Sequence, residues 1–194
     1  MYAPLPEGDF QFIALDVETA CGNSASICQI GIACVGYDET IHTWSTYVDP
    51  QMPFAPFNVE LHGIGPETVK SAGNFAQVWP EMLPLLSRHP MVQHSRFDEK
   101  AINAACKTHG LPRPRLVWHD SVAIARAAWP ELKGNGGHGL ANLKQVLDLE
   151  FRHHDAGEDA RAAAMVVLRA KAVSSKLAAR HAIRFKPVQL SFPF

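Results

Sequence analysis

Four acidic residues and one histidine stand where the sequence pattern ends a strand or begins a helix. Asp16 and Glu18 follow a strongly apolar run and are two residues apart, so in a strand both carboxylates project from the same face. Asp98 comes directly after a second short apolar segment, and His154 and Asp159 stand where the last helix is predicted to begin. Because catalytic and ligand groups of α/β proteins gather outside the carboxyl ends of the strands, we expect these side chains to converge.

Such a set of side chains suits metal-dependent hydrolysis. Clustered carboxylates repel one another unless cations neutralise them, and oxygen ligands favour Mg²⁺ or Mn²⁺. Two such ions about 3.5–4 Å apart stabilise both the attacking and the leaving oxygen of a phosphoryl displacement. A histidine with a pKa near neutrality can remove a proton from the attacking water. The residue types therefore predict phosphodiester hydrolysis at a site that holds two Mg²⁺ or Mn²⁺ ions.

The elements that must position these residues follow one another in a pattern typical of an α/β domain. Runs rich in β-branched and aromatic residues predict three antiparallel strands, at 10–17, 26–37 and 41–48. Prolines predict a loop over residues 53–66, and they predict an interruption at Pro80 or Pro84 of the next helix. Strands at 90–94 and 115–119 then alternate with helices at 97–109, 121–128, 140–147 and 158–181. We therefore predict a mixed five-stranded β-sheet, with three antiparallel strands followed by parallel βα units, flanked by α-helices.

The composition indicates one domain with a substantial core. The chain has 194 residues, of which 47% are hydrophobic and 19% charged. Its longest wholly apolar run, residues 162–168, is far shorter than the ~20 residues that span a membrane. The first ten residues carry two acids and no base, which argues against a secretory signal, and four cysteines without a CxxC pair suit reduced thiols. We expect a cytoplasmic protein with a domain over residues 1–180 and a tail over residues 181–194.

Charge is divided unevenly along the chain. Residues 1–100 hold 12 acids and 4 bases, whereas residues 101–194 hold 7 acids and 14 bases. No acid follows Asp159, against seven bases. The basic rear could bind a polyanion close to the site, and it could equally be a solvated surface without a partner.

Three segments resemble the motifs of the DEDDh exonuclease superfamily. Residues 12–19, FIALDVET, resemble the first motif, residues 93–98, QHSRFD, the second, and residues 154–160, HDAGEDA, the third. Shorter similarities at 61–64, 120–121 and 139–143 extend the resemblance over about residues 10–175. The resemblance implies an RNase H-like fold and 3′–5′ exonuclease activity, as in the epsilon proofreading subunit of DNA polymerase III, RNase T and oligoribonuclease.

The resemblance also implies roles for the converging side chains. Asp16, Glu18 and Asp159 would hold the metal ion beside the attacking water, and Asp16 with help from Asp98 would hold the second ion. His154 would be the general base rather than its neighbour, because only His154 has the four-residue gap to Asp159.

Four further residues are candidates for contact with the 3′-terminal nucleotide. Thr19 and Ala20 would contact it through backbone groups. His62 would approach it, with a purely structural turn as the alternative. Phe97 would stack on a base or sugar, with packing in the core as the alternative.

The C-terminal residues QLSFPF resemble the short glutamine-led peptides by which bacterial proteins bind the DNA sliding clamp. Leu190, Phe192 and Phe194 would enter an apolar groove, while Gln189 would fix the register by hydrogen bonds. An apolar tail that docks on its own domain would have the same pattern.

The resemblance leaves three functional hypotheses. The first is a 3′–5′ exonuclease that releases nucleoside 5′-monophosphates from the 3′ end of DNA in proofreading or repair. The second is an exoribonuclease of the RNase T or oligoribonuclease type, since the 2′-OH is sensed by a few loop contacts. The third is a non-catalytic subunit that tethers a clamp or polymerase, and the intact set of acids and histidine argues against it.

Overall fold

The computed structural model describes residues 4–181, with side chains described through residue 174. The proposed clamp-binding residues Gln189, Leu190, Phe192 and Phe194 therefore lie outside the described residues. Within the described part, no helix is long and apolar enough to cross a membrane.

A five-stranded mixed sheet forms the centre of the domain, in the order β3-β2-β1-β4-β5. Its strands are β1 (Phe12–Thr19), β2 (Ile27–Val35), β3 (Ile41–Tyr47), β4 (Met91–Gln93) and β5 (Trp118–Asp120). The first three strands pair antiparallel, whereas β4 runs parallel to both β1 and β5. The predicted α/β fold with a mixed five-stranded sheet is confirmed.

Seven α-helices are present among the described residues. They are α1 (Pro56–His62), α2 (Pro66–Val69), α3 (Phe75–Leu86), α4 (Phe97–Thr108), α5 (Ser121–Ala128), α6 (Leu140–Val146) and α7 (Ala156–His181). A short 3₁₀ helix, Pro130–Leu132, follows α5.

Two expectations based on the prolines are wrong. The predicted loop over residues 53–66 contains α1 and the start of α2, because Pro56 and Pro66 stand at the first turn of each helix. Proline is favoured there, since its fixed φ suits the helix and its missing N–H would be unpaired anyway. The helix α3 also continues through Pro80 and Pro84. Both prolines are exposed, so water can bind the carbonyls whose helical donors they remove.

Both faces of the sheet are covered, which explains why β1 and β2 are almost continuously apolar. One face packs against α3 and α4, where Trp79, Met82 and Ile102 meet Ile13 and Leu15. The other face packs against α7, whose side chains toward the sheet are mostly alanines. Small side chains let the helix axis approach the sheet closely.

The start of α7 lies very close to the sheet at Gly31 in β2. A Cβ atom at Gly31 would lie 2.1 Å from the backbone carbon of Ala156, at the start of α7. Gln29, two residues earlier in β2, accepts a hydrogen bond from the Ala156 N–H at 3.1 Å. Since Gly31 is paired with Asp16 and Gln29 with Glu18, this contact brings the first turn of α7 to the acidic end of β1.

Candidate active site

The two acids of β1 lie on the face that α7 covers. Phe12 and Ala14 pack against α7, and side chains two residues apart share a face, so Asp16 and Glu18 continue the same row. Asp16 is half-buried and Glu18 is only 9% exposed. Both carboxylates of β1 therefore lie beside the first turn of α7.

Asp159 completes this cluster from the first turn of α7. Its side chain is 3% exposed, and carboxylate oxygens of Asp16, Glu18 and Asp159 lie within 4.8 Å of one another. Three acids at this distance form an all-oxygen donor set of the kind that Mg²⁺ and Mn²⁺ prefer. The residues therefore fit the divalent cation that the sequence predicts.

Asp98 reaches the same end of β1 from the other side of the strand. It lies in the first turn of α4, is 2% exposed, and its Oδ1 accepts a hydrogen bond from the Val17 N–H at 3.1 Å. Pairing between β1 and β4 ends at Ala14, so this carboxylate takes over a backbone donor beyond the end of the ladder. Asp98 is therefore held between the positions of Asp16 and Glu18.

Burial and mutual repulsion make this cluster costly without cations. Burial, followed by Asp98 and Asp159, raises the pKa of Asp16 well above its ordinary value. Burial, followed by Asp159, raises the pKa of Glu18 to about 7. Burial likewise raises the pKa of Asp98 to about 8, against the hydrogen bond from Val17. A bound cation would reverse this preference for the protonated forms.

Two histidines flank Asp159, and they do so differently. His153 Nδ1 donates to Asp159 Oδ1 at 2.8 Å, whereas His154 donates its backbone N–H to Asp159 Oδ2 at 2.9 Å. The two rings are stacked with centroids 4.0 Å apart, and each offers a nitrogen within 4.8 Å of an Asp159 oxygen. Burial, followed by His153, lowers the pKa of His154. The motif spacing favoured His154 over His153 as the general base, but spacing cannot indicate that the His153 ring is the one that bonds to Asp159.

The residues after β1 are fixed by α1. The Thr19 carbonyl accepts hydrogen bonds from Asn58 Nδ2 at 2.8 Å and His62 Nε2 at 3.2 Å. His62 Nδ1 accepts from the Ile64 N–H at 3.0 Å, so both ring nitrogens have partners within the chain. His62 therefore holds Thr19 in place and has no free ring nitrogen for a nucleotide. Asn58 was missed, because its segment was predicted to be a loop.

The predicted backbone contact of Ala20 is not available in this structure. Ala20 is fully buried, its N–H donates to the Ser26 carbonyl at 2.7 Å, and its carbonyl accepts from the Ala55 N–H at 2.8 Å. Phe97 differs, because its ring is 43% exposed beside Asp98. This exposure favours a ligand-facing ring over the alternative of core packing.

A second set of hydrogen bonds joins the end of β4 to the start of α5. His94 Nδ1 donates to Ser121 Oγ at 2.8 Å, and that hydroxyl donates to the Gln93 carbonyl at 3.1 Å. Ser121 is fully buried and Asp120 accepts from the Val122 N–H at the start of α5. These bonds stabilise the ends of β4 and β5, and they keep the Ser121 hydroxyl buried and hydrogen-bonded.

The sequence profile of the exonuclease family, RNase_T, matches residues 13–167, which include the four carboxylates and both histidines. The chain therefore belongs to the exonuclease family, and it has the RNase H-like fold that its motifs predicted.

Similar sequences are found in DNA polymerases III of the PolC type. The DNA polymerase III PolC-type of Caldanaerobacter subterraneus subsp. tengcongensis is 30% identical over 162 residues, which cover 82% of this chain and 11% of that protein. The PolC-type polymerase of Streptococcus mutans is 30% identical over 156 residues, 78% of this chain and 10% of that protein. The chain thus spans about a tenth of the length of these relatives.

Similar folds are found in solved exonuclease structures. Exonuclease X in complex with 5′ overhanging duplex DNA superposes with a TM-score of 0.65 at 22% identity, covering 84% of this chain and 93% of that one. The nuclease domain of 3′hExo bound to rAMP gives 0.68 at 18% identity, with coverage of 84% and 93%. E. coli Exonuclease I in complex with a dT13 oligonucleotide gives 0.73 at 18% identity, with coverage of 87% and 42%.

Proposed function

We propose that this domain hydrolyses phosphodiester bonds from the 3′ end of DNA and releases nucleoside 5′-monophosphates. The observation that carries the proposal is the convergence of Asp16, Glu18 and Asp159, whose oxygens lie within 4.8 Å of one another. A buried cluster of like charges is unfavourable in itself and becomes favourable when divalent cations neutralise it.

The four carboxylates divide between two Mg²⁺ or Mn²⁺ ions in this proposal. Asp16, Glu18 and Asp159 would hold one ion, and Asp16 with Asp98 would hold the other. When bound, the ions would polarise the phosphate, lower the pKa of the attacking water and stabilise the leaving oxygen. The Val17 N–H and the His154 N–H each donate to one of these carboxylates and so orient its free lone pairs.

His154 is the proposed general base. Its ring lies against His153 at the mouth of α7, and its lowered pKa leaves it neutral and able to accept a proton at physiological pH. His153 already donates to Asp159, which suits a positioning role. Thr19 and the exposed ring of Phe97 would contact the terminal nucleotide on either side of the acidic cluster, with Thr19 held by Asn58 and His62.

DNA is the proposed substrate because the relatives at 30% identity are DNA polymerases. The same similarity supports the proposal of a proofreading or repair role and of a polymerase partner. The clamp-binding role of residues 189–194 also stays a proposal. An exoribonuclease is the second candidate, since one neighbour of similar fold was solved with rAMP and another recognises a histone mRNA stem-loop.

The test compares 5′-labelled single-stranded DNA, duplex DNA and RNA of one sequence, each with Mg²⁺, Mn²⁺ or EDTA. We expect stepwise shortening from the 3′ end of DNA, release of 5′-monophosphates, and no reaction in EDTA. Asp16→Asn is the inactive control. Faster digestion of RNA than of DNA would favour the second candidate. Absence of hydrolysis on all three substrates with either ion would contradict the catalytic proposal.

A further inference from the structure

A row of cations follows the solvent-facing side of α4. Arg96, Lys100, Asn103 and Lys107 recur at intervals of four, three and four residues, which puts them on one face of the helix. Arg113, in the loop after α4, lines the same cleft of about 620 Å³. We call Arg96, Lys100, Lys107 and Arg113 the α4 basic stripe.

The stripe is poorly neutralised by its own chain. Its four cations are exposed, and the one acid that lines the cleft is Glu99, whose carboxylate lies 4.0 Å from Arg113. Among the residues that the structure describes, Arg96, Lys100 and Lys107 have no recorded ion pair. The floor of the cleft is apolar, with Cys106 and Leu111. Three unpaired cations and Arg113 above an apolar floor are complementary to a polyanion with apolar rings or sugars.

The stripe starts at the acidic cluster. The first turn of α4 contains the exposed Phe97 and the buried Asp98, which is bonded to β1. From Arg96 to Lys107 the helix advances about 16 Å at 1.5 Å per residue. Phosphates on one strand of B-form DNA are spaced about 3.4 Å apart along the axis, so the stripe is long enough for several of them.

We propose that the α4 basic stripe binds the phosphate backbone of the strand that leads to the scissile 3′ end. This inference rests on the proposed exonuclease function and assigns the path of its substrate. The proposed path differs from the one that the charge pattern of the sequence suggested, in which the basic residues after Asp159 bind the polyanion. Lys171 Nζ binds Glu39 at 2.9 Å, in the turn between β2 and β3, which is the end of the sheet opposite the acidic cluster.

The test removes two cations from the stripe with Lys100→Gln/Lys107→Gln. The matched control, Arg169→Gln/Lys171→Gln, removes the same charge from the far part of α7. Binding of fluorescein-labelled dT12 is followed by anisotropy in EDTA between 50 and 200 mM NaCl. Each lost phosphate contact removes about 0.7 from the slope of log K against log salt. We therefore expect the slope of the Gln variant to be less steep by about 1.4. Its affinity for dT12 at 50 mM NaCl should fall by roughly tenfold or more, whereas the control variant should keep the wild-type slope and affinity.

A charge-conserving variant and kinetics complete the experiment. Lys100→Arg/Lys107→Arg should keep the wild-type slope, which separates charge from packing. With Mg²⁺, the Gln variant should raise KM for the 12-mer, keep kcat, and leave hydrolysis of a dinucleotide unchanged. A wild-type slope in the Gln variant, or an equal loss in the control, would overturn the proposal. Anisotropy in EDTA needs no hydrolysis, so failure of the stripe is distinguishable from failure of the exonuclease activity.

Discussion

Asp159 is held by two neighbouring residues through different groups. The His153 ring donates to both carboxylate oxygens, with the shorter distance to Oδ1, and the backbone N–H of His154 donates to Oδ2. His154 can do this because its φ is +67°, in the left-handed region, which turns the chain into α7. That turn leaves the two rings stacked on each other beside the acidic cluster.

This arrangement predicts different effects for the two histidines. His154→Ala should lower kcat by about 10²–10⁴, the usual contribution of a positioned base, with little change in DNA affinity. His153→Asn should act mainly through Asp159, so it should raise the Mg²⁺ concentration for half-maximal activity, typically 10- to 100-fold, with a smaller effect on kcat at saturating Mg²⁺. Mg²⁺ titrations of both variants on one oligonucleotide measure these effects. If the His153 variant were inactive at saturating Mg²⁺ and the His154 variant active, the base would be His153.

Residue types and spacing were enough to predict which carboxylates converge, but not how the substrate-facing residues bond. Asp16 and Glu18 share a face by strand periodicity alone. The bonds of the substrate-facing residues depend on α1 and on Ala55, which precedes it. Ala55 bonds to Ala20, about 35 residues earlier in the chain, and His62 bonds to Thr19, 43 residues earlier. No local pattern encodes such contacts.

At the scale of elements, the contact between β2 and α7 decides whether the acidic cluster forms. Asp159 belongs to α7, whereas Asp16 and Glu18 belong to β1. The first turn of α7 reaches these acids because Gly31, which pairs with Asp16 from the neighbouring strand β2, leaves room for the Ala156 backbone. The mostly alanine face of α7 continues this close approach along the sheet.

Gly31→Ala should therefore damage both stability and activity. The added methyl group would lie 2.1 Å from backbone atoms, which cannot rotate away as a side chain can. We expect a loss of about 1–3 kcal/mol in the free energy of unfolding. We also expect roughly 10²-fold lower activity, because a shift of about 1 Å in a catalytic group has such an effect. Urea unfolding and oligonucleotide digestion measure both quantities. The control is Gly22→Ala, which has no atom within 4 Å of the added group; equal effects at the two positions would contradict this account.

The same scale explains why some helices could be predicted and α1 could not. Regular apolar spacing and long segments predicted α4 and α7. In α1 only seven residues are helical, and most of its apolar side chains, such as Phe57 at 72% exposed, face solvent. A short helix without a buried stripe has no periodic signal, and its stability depends on tertiary bonds such as that from Asn58 to Thr19.

At the scale of the whole molecule, the charge along the sequence is a poor guide to charge in space. The bases after Asp159 follow the acidic cluster directly in sequence, yet α7 has 26 residues and so extends about 39 Å. Lys171 consequently lies beside Glu39 and Gln11, at the other end of the sheet. The row of cations along α4 instead begins beside Asp98, and two of its members, Arg96 and Lys100, belong to the acidic half of the sequence.

The acidic cluster also couples stability of the whole domain to pH and to divalent cations. Burial raises the pKa of Glu18 from 4.5 to about 7 and that of Asp98 from 3.8 to about 8. Because these folded-state values lie above the unfolded ones, the folded protein holds protons that the unfolded chain has already released. The contribution of these two carboxylates to stability without metal therefore falls as the pH rises from about 4 to about 8. His94, whose pKa burial lowers to about 4, contributes in the opposite direction only below about pH 6.5, and its shift is smaller than the two carboxylate shifts together.

Thermal unfolding in EDTA should thus give a lower Tm at pH 8 than at pH 5.5. One pKa unit corresponds to about 1.4 kcal/mol, and about 1 kcal/mol moves Tm by roughly 2–4 °C in a chain of this size, so we expect a fall of several degrees. Mg²⁺ or Mn²⁺ should restore Tm at pH 8, since an ion that binds only the folded state stabilises it by mass action. Asp16→Asn/Glu18→Gln should raise Tm in EDTA at pH 8 and abolish the response to the ions. A wild-type Tm that rises between pH 5.5 and 8 in EDTA would contradict the raised pKa values of these carboxylates. A double variant whose Tm still rises with Mn²⁺ would show that Asp16 and Glu18 do not hold the ion.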